Sequence, residues 1–236
     1  MATTTLRAAV VIPTRNRKDI LKVALDAVLA QTVQAEVIVL DDDSDDGTEE
    51  MVRRNYSSVR YQRFSGPCGP SVLRNRGTEM ASAPIIFAID DDAIMVSPRT
   101  IEQTLAEFDD PRIAAVGIPF INVRKDGAIH QQAPDTNDLW ICEAFVGASH
   151  ALRRDVFLAA GGYREDFFYM GEEGDLCVRL LDKGYVVRLG RAAPISMGVA
   201  MTYFLFGKTS RCRTCRSIWP ERRYLASDLA SALERP

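Results

Sequence analysis

The sequence predicts an α/β fold with a mostly parallel central sheet, helices on both faces and a small antiparallel extension. Two observations predict this class. Runs such as AAVVI and IIFAI are apolar throughout, which indicates buried strands, and they alternate with segments of helical periodicity from residue 8 to residue 118. This alternation is typical of a parallel sheet that helices cover on both sides. For a chain of 236 residues, we expect one large domain over 1–195 and a different C-terminal segment over 196–236.

The strands and helices of the first half are expected in strict alternation. The expected strands cover 8–12, 36–40, 59–64, 85–89 and 113–118, and the expected helices cover 18–31, 48–56, 71–81 and 99–108. The first helix places Leu21 and Leu25 on one face, whereas Gly77 weakens the third. Ser97 followed by Pro98 predicts the N-cap and the first residue of the fourth helix.

The second half of the domain changes pattern. The segment FINVRKDGAIHQ, residues 120–131, predicts a hairpin with Asp126 and Gly127 at its turn, so antiparallel strands are expected to extend the sheet. Two further helices are expected at 153–162 and 172–184, because glycines end both segments.

Composition and charge limit the partners that the chain can have. The composition is that of a soluble globular protein, with 47% hydrophobic and 26% charged residues, and the formal net charge is -3. This charge gives no general attraction to nucleic acid, so none is expected as a partner. Five cysteines, an odd number, do not suggest a disulfide framework, and the apolar run before Pro13 is too short for a secretion signal. A cytoplasmic location is therefore expected.

Three aspartates follow each of two predicted strands. Asp41, Asp42 and Asp43 come directly after the second strand, and Asp90, Asp91 and Asp92 come directly after the fourth. The carboxyl ends of parallel strands share one edge of the sheet, where ligands bind in open α/β folds. Carboxylates suit hard cations such as Mg²⁺ or Mn²⁺, and these cations bind diphosphates well. The alternative is that the aspartates only cap helices and form turns.

Six segments occur in an order that resembles a known family. They are AVVIPTRNR, VIVLDDDSDDGT, GPSVLRNRG, IIFAIDDDAI, GASHALRRDVFLAAGGYREDFF and GEEGDLCVRLLDKGYVV. In this order they resemble the family 2 glycosyltransferases of the GT-A fold, over roughly residues 7–190. The resemblance implies a Rossmann-like sheet, a nucleoside diphosphate sugar as donor, Mn²⁺ or Mg²⁺ as cofactor, and a saccharide or lipid-linked acceptor.

The resemblance also implies the roles of individual residues. The nucleotide pocket would include Pro13, Thr14, Arg15, Asp41, Asp42, Arg74, Asn75, Asp90 and Asp91. Within that set, Asp41 or Asp42 would meet the base, and Arg74 and Asn75 match an Arg-Asn pair beside the nucleotide. Asp90 and Asp92 match the ends of a DxD motif. Asp92 would be the direct metal ligand, and Asp90, the second candidate ligand, would lie nearer the ribose.

The segment GEEGD matches the Glu-Asp pair of the family, whose second member acts as general base. That position is Glu173, where the family has an aspartate. The carboxylate of a glutamate lies one methylene further from the backbone, so Glu172 is the alternative base. One base opposite the leaving group implies direct displacement with inversion at the sugar.

Three other functions are compatible with parts of the sequence to different degrees. A protein that binds a nucleotide sugar with little or no transfer is the alternative if Glu173 and the atypical C-terminal segment leave the site incomplete. A phosphatase of the haloacid dehalogenase type would need an aspartate where Ser44 stands. A dinucleotide-binding enzyme would need glycines in the segment PTRNRK, which contains none.

The C-terminal segment departs from the pattern of the family. From Lys208 onward it carries seven basic and three acidic residues, and it lacks the histidine that many relatives have after the last strand. The uncharged stretch at 192–207 is shorter than the roughly 18 residues of a membrane span. Contact with the inner face of an anionic membrane is one hypothesis for this segment. A frameshift is another, because plausible codons for 207–222, shifted by one base, give a sequence richer in proline and leucine.

Overall fold

The structure, a computed structural model, describes residues 6–123, 125–167 and 171–197. The strands in these ranges are β1 (Ala8–Thr14), β2 (Glu36–Asp41), β3 (Arg60–Arg63), β4 (Ile85–Ile89), β5 (Ala93–Met95), β6 (Ile113–Gly117), β7 (Phe120–Asn122), β8 (Ile129–His130), β9 (Ser149–Arg153), β10 (Val186–Leu189) and β11 (Ile195–Met197). The helices are α1 (Lys18–Leu29), α2 (Thr48–Asn55), α3 (Pro70–Met80), α4 (Thr100–Ala106), α5 (Arg154–Ala159) and α6 (Glu172–Asp182).

Seven strands form the large sheet, in the order β10-β6-β9-β4-β1-β2-β3. Strand β1 pairs in parallel with β2 and β4, β2 pairs in parallel with β3, and β10 pairs in parallel with β6. Only β9 runs antiparallel to its neighbours β4 and β6 in this sheet, within the residues described. The predicted α/β class with its mostly parallel sheet is confirmed.

The antiparallel extension is present, but it is built differently from the prediction. Strands β7 and β8 pair antiparallel, with Phe120 opposite His130, and Gly127 in their turn has a φ of +63°. They join β5 and β11 in a separate four-stranded sheet instead of extending the large one. The antiparallel strand of the large sheet is β9, which was not predicted. Its residues Ser149 and His150 are polar although they are fully buried, and they obscure the apolar pattern.

The predicted start of the fourth helix is wrong by two residues. Helix α4 begins at Thr100 with Arg99 as its N-cap residue, and the hydroxyl of Ser97 accepts only the N–H of Arg99, at 3.2 Å. The free N–H of Ile101 is satisfied from elsewhere in the fold, because it donates to the side-chain carbonyl of Gln31 at 3.1 Å. A side chain that follows the end of α1 thus replaces the local cap that the sequence suggested.

The large sheet has an apolar core on each face. The side chains of Val10 and Ile12 pack with those of α1, whereas Val11 packs on the opposite face with α3 and α6. Gly77 is needed for this second layer: a methyl group on it would lie 2.4 Å from Cγ1 of Val11 and 2.8 Å from Cδ2 of Leu40. The glycine that weakens the helix locally therefore lets α3 approach the sheet closely.

Strands β1, β2 and β4 end at the same edge of the large sheet. Thr14 lies opposite Asp41 in the register of β1 and β2, and the second aspartate cluster begins directly after β4. Strand β11 crosses the predicted domain boundary at residue 195, and the predicted C-terminal segment beyond residue 197 lies outside the described residues. In the part of the chain that is described, no helix has both the length and the apolar character needed to cross a membrane.

Candidate active site

The second aspartate cluster is tied to the end of β1. The carboxylate of Asp91 is buried, and it accepts hydrogen bonds from the Thr14 hydroxyl at 2.8 Å and from Nη1 of Arg17 at 2.9 Å. Burial raises the pKa of Asp91 to about 6, although the guanidinium of Arg17 opposes this shift. Asp91 thereby fixes the turn that presents its neighbours Asp90 and Asp92, and Arg17 is a contributor that the sequence analysis did not single out.

The first aspartate cluster is held by the surrounding loops. Asp41 is fully buried, and its carboxylate accepts the N–H of Ser44 at 2.7 Å and the hydroxyl of Tyr61. The carboxylate of Asp42 accepts the N–H groups of Cys68 at 2.6 Å and of Gly69 at 3.2 Å. Both side chains therefore shape the walls of the predicted base pocket. Contact of either one with a base stays a prediction.

The remaining residues of the predicted nucleotide pocket differ in exposure. Pro13 is buried in β1, and Arg15 is exposed directly after that strand. The neighbouring Asn16 has a φ of +52°, and its side-chain oxygen accepts the N–H of Asp45 at 2.8 Å. Lys18 also donates its N–H to Asp46 at 2.9 Å, so hydrogen bonds join the loops after β1 and β2 at the edge of the sheet.

Arg74 links the donor side of the site to the acidic pair. Its guanidinium is almost completely buried, donates from Nη2 to Asp90 at 2.6 Å and places Nη1 3.6 Å from Oε1 of Glu172. Burial disfavours its charge, but Asp90 and the nearby Glu173 more than compensate and raise the pKa of Arg74. The guanidinium is therefore a fixed positive charge between carboxylates on opposite sides of the site.

The acidic pair stands at the first turn of α6. Glu172 is buried, and its Oε2 has no hydrogen-bond partner among the described residues. Glu173 is half-buried, and a methyl group built on Gly147 would lie 1.9 Å from Oε1 of Glu173 and 3.3 Å from Nη1 of Arg74. Burial and the adjacent Glu172 raise the pKa of Glu173 to about 7, against the opposing effect of Arg74. A carboxyl group in this state can accept a proton near neutral pH.

The loop that carries Gly147 is held by a residue that sequence reasoning missed. Gln131 adopts a left-handed backbone with a φ of +56°. Its side-chain amide donates to the carbonyl groups of Ile118 and Ser149, at 2.9 and 2.8 Å, and accepts the N–H of Val146 at 2.7 Å. A polar residue at the end of a predicted hairpin gave no signal of this role, because its partners lie 13 to 18 positions away.

Asn75 and His150 lie behind the acidic pair. The amide of Asn75 holds both backbone groups of Tyr163, accepting its N–H at 2.9 Å and donating to its carbonyl at 2.8 Å. His150 lies 2.7 Å from the Tyr163 hydroxyl, and burial together with Arg74 lowers the pKa of His150 to about 3. The neutral ring can donate from Nδ1 to the carbonyl of Val146, at 3.3 Å, and accept the tyrosine proton at Nε2. Asn75 and His150 therefore both hold Tyr163 in place by hydrogen bonds.

The carboxylates after β4 suit a metal that is shared with a ligand. Among the described residues, no three His, Cys, Asp or Glu side chains come together as a ready-made metal site. Mg²⁺ in nucleotide sites is commonly held by one or two carboxylates, with the other positions taken by phosphate oxygens and water. Asp92 is buried and Asp90 is partly exposed at the edge of the sheet, so the donor set fits a cation of this kind.

Comparison with known proteins identifies the fold and the family. The model of the family described as glycosyl transferase family 2 matches residues 9–159, which is more than half of the chain. The mannosyltransferase PcManGT from Pyrobaculum calidifontis, solved with GDP-Man and Mn²⁺, has a TM-score of 0.66 at 21% identity, and the match covers 82% of this chain and 57% of that one. S. aureus TarS 1-349, solved with UDP-GlcNAc, has a TM-score of 0.68 at 15% identity, covering 91% and 62%. These likenesses confirm the predicted GT-A fold.

Two curated relatives are similar in sequence. The glycosyltransferase YibD of Escherichia coli (strain K12), whose function is uncharacterised, is 30% identical over 139 residues, which is 57% of this chain and 40% of that protein. The succinoglycan biosynthesis protein ExoU of Rhizobium meliloti (strain 1021) is 26% identical over 196 residues, which is 74% and 57% of the respective chains. This chain therefore spans less than two thirds of the length of either relative. Glu172 and Glu173 lie beyond the range that the family model matches.

Proposed function

This chain belongs to glycosyl transferase family 2, and we propose that it is an inverting, metal-dependent glycosyltransferase. It would move a sugar from a nucleoside diphosphate sugar to a hydroxyl group of a saccharide or lipid-linked acceptor. One observation carries the proposal: Arg74 joins a donor-side carboxylate, Asp90, to the acidic pair Glu172 and Glu173. Asp90, which would help to bind the cation and the diphosphate, therefore lies on one side of the Arg74 guanidinium. The acidic pair, in which the pKa of Glu173 is raised, lies on the other side.

The donor side is assigned from the chemistry of its residues. Asp92 and Asp90 would hold Mn²⁺ or Mg²⁺ together with the diphosphate, and the cation would offset the negative charge that develops on the leaving group. Asp91 keeps the turn in place through Thr14 and Arg17. The solved complexes of PcManGT with GDP-Man and Mn²⁺ and of TarS with UDP-GlcNAc support this class of donor and cofactor.

The acceptor side is assigned to Glu173. A sugar hydroxyl is a weak nucleophile, so a carboxylate must take its proton as the new bond forms. Glu173 is half-buried and has a pKa near neutrality, whereas Glu172 is buried against Arg74. We therefore assign the proton transfer to Glu173 and the positioning of the pair to Glu172. With a single base opposite the leaving diphosphate, the sugar would be displaced directly and its configuration inverted.

Binding of nucleotides tests the donor side. UDP, GDP, ADP and CDP are titrated by calorimetry into the wild type, Asp92→Ala and Asp155→Ala, each with and without Mn²⁺. We expect one nucleotide to bind in a Mn²⁺-dependent manner to the wild type and to Asp155→Ala, which removes an exposed carboxylate on α5. Asp92→Ala should lose this binding while its melting temperature shows that it is folded. The absence of binding to the wild type would refute the proposal.

Turnover separates transfer from binding alone. The corresponding sugar nucleotides are incubated with the wild type and with Glu173→Gln, and release of the nucleoside diphosphate is measured with and without saccharide acceptors. Transfer by the wild type that falls sharply in Glu173→Gln supports the enzyme. Tight binding without any release favours the second candidate, a nucleotide-sugar-binding protein, because the glutamate at position 173 would then fail to act as the base.

A cytoplasmic location and a peripheral contact with a membrane are part of the same proposal. The support is the basic character of the sequence from Lys208 onward, which suits anionic lipid. Sedimentation of the full chain with anionic vesicles at low salt, and with neutral vesicles as a control, tests the contact. Equal binding to the two kinds of vesicle would contradict it.

A further inference from the structure

The acidic pair and Arg74 form a cluster in which charge does not balance. Asp90, Glu172 and Glu173 surround one guanidinium, so three ionised carboxylates would leave an excess of negative charge in a poorly hydrated site. The structure relieves this excess at Glu173, whose pKa is about 7 because of burial and the neighbouring Glu172. At neutral pH the proposed base therefore holds a proton in part of the molecules.

The other groups that face Glu173 carry no charge at neutral pH. Tyr163 faces it from the loop after α5, and burial raises the pKa of its hydroxyl well above the ordinary value. Cys177 faces it from the next turn of α6, and burial raises the pKa of its thiol. Arg74 and Glu172 are thus the charged groups that set the proton affinity of Glu173 in the described part of the structure.

Arg74 interacts with a carboxylate on each side of it, Asp90 and Glu172. Its closest contact is Asp90 at 2.6 Å, and its contact with Glu172 is looser, at 3.6 Å. The Nε atom of Arg74 is buried and has no hydrogen-bond partner among the described residues, so the guanidinium is not locked by a full set of bonds. A change in the charge available at Asp90 would therefore be felt at the acidic pair.

We propose that Arg74 is a positioning residue that shifts the base towards its ionised form when the donor binds. When Asp90 binds the cation of a cation-bound diphosphate, its ion pair with Arg74 weakens. The positive charge of Arg74 then stabilises the ionised forms of Glu172 and Glu173 more strongly. Glu173 then gives its proton to solvent and is ready to accept one from the acceptor hydroxyl. Before the donor binds, the protonated form of Glu173 does not activate water. This inference rests on the proposed function and adds a coupling between its two sides.

The number of protons released on nucleotide binding tests the coupling without any turnover. The one of UDP, GDP, ADP and CDP that binds the wild type is titrated by calorimetry with Mn²⁺ at pH 7 in PIPES and in Tris. The ionisation enthalpies of the two buffers differ, so the difference in heat gives the number of protons released. We expect the wild type to release a measurable fraction of a proton more than Glu173→Gln, because part of the Glu173 side chains are protonated beforehand. This excess should disappear at pH 9, where Glu173 is already ionised.

Variants of two arginines on α3 test whether the coupling between Asp90 and Glu173 runs through Arg74. Arg74→Lys keeps a positive charge but lacks the fork that reaches both carboxylates, so the excess of released protons should fall to well under half of the wild-type value. Arg76→Met is the matched control: Arg76 is exposed, pairs with Glu79 and should leave the excess unchanged. The comparison with Glu173→Gln does not depend on the behaviour of Arg74→Lys.

Two results would overturn the coupling. Equal proton release by the wild type and Glu173→Gln, with normal binding heat, refutes it and leaves the proposed function standing. Equal release by the wild type and Arg74→Lys refutes the role of Arg74. Absence of binding heat in the wild type with all four nucleotides is a different outcome, because it refutes the proposed function itself.

Discussion

Substitution of Gly147 by alanine probes the position of the proposed base. A methyl group on Gly147 would lie 1.9 Å from Oε1 of Glu173, whereas real contacts of this kind are essentially never shorter than 3.0 Å. The carboxylate must therefore retreat by about 1 Å or more, and misplacement of a reacting group by about 1 Å costs on the order of 100-fold in rate. This factor corresponds to about 2.7 kcal/mol in the activation free energy.

The folded state should tolerate the same change. The clashing atom is the end of a flexible side chain, and Gly147 does not have a left-handed backbone, so we expect the free energy of unfolding to change by less than about 1 kcal/mol. The assay compares kcat for nucleoside diphosphate release, and the denaturant midpoint, in four proteins: the wild type, Gly147→Ala, Glu173→Gln and the double variant.

The double variant decides whether the effect runs through Glu173. If Gly147→Ala acts by displacing the carboxylate, it should add little to Glu173→Gln, since the group that it displaces as a base is already gone. Two results would refute the reasoning: a kcat of Gly147→Ala within about threefold of the wild type, or full additivity of the two losses in the double variant.

Four further outcomes follow from individual contacts. Glu173→Gln should lower kcat by about 10²- to 10⁴-fold, and the wild-type kcat/KM should fall as pH drops below about 7, since the proton then occupies the base of the free enzyme; a flat acid limb would contradict this. Because the pKa of Glu173 is raised in the folded state, its ionisation lowers stability as pH rises from about 4.5 to 7, so Glu173→Gln should melt at a higher temperature than the wild type at pH 8. Gly77→Ala should destabilise by about 1–3 kcal/mol despite the better helix propensity of alanine, because the methyl group meets Val11 at 2.4 Å; an increase in the urea midpoint would be the opposite result. Arg188→Met should destabilise by about 3–5 kcal/mol, because it leaves Glu107 buried without its charged partner, and urea denaturation measures the loss; a change below 1 kcal/mol would argue against it.

The elements that the sequence predicted correctly are those whose local signals agree with their environment. The five strands expected in the first half all form, and so do α1, α2 and α3. Except at β3, an edge strand that is largely exposed, apolar runs and helical periodicity match burial on the two faces of the sheet. Strand β9 was missed, since the partners that satisfy its buried polar residues are remote in sequence. The start of α4 was misplaced for a related reason: its cap comes from Gln31, 70 residues before Ile101.

In the candidate site, too, the sequence predicted the residues that have local motifs and missed the contacts between residues remote in sequence. The motifs named the carboxylates at the ends of β2 and β4 and the acidic pair at the start of α6. They did not indicate that the carboxylate of Asp91 is engaged by Thr14 and Arg17, since these contacts join positions 77 and 74 residues apart. Nor did they indicate the part of Gln131, whose side chain fixes the loop before β9.

The sequence by itself determined the α/β class, the family and the chemical character of the site, because these depend on residue types and on their order along the chain. Only the tertiary structure decided which charges meet. It brought Arg74 between Asp90 and Glu172, set Glu173 against Gly147 and buried the pair enough to raise the pKa of Glu173 to about 7. Electrostatic energies depend on the distance between charges and on their burial, and the spacing of a sequence motif determines neither quantity.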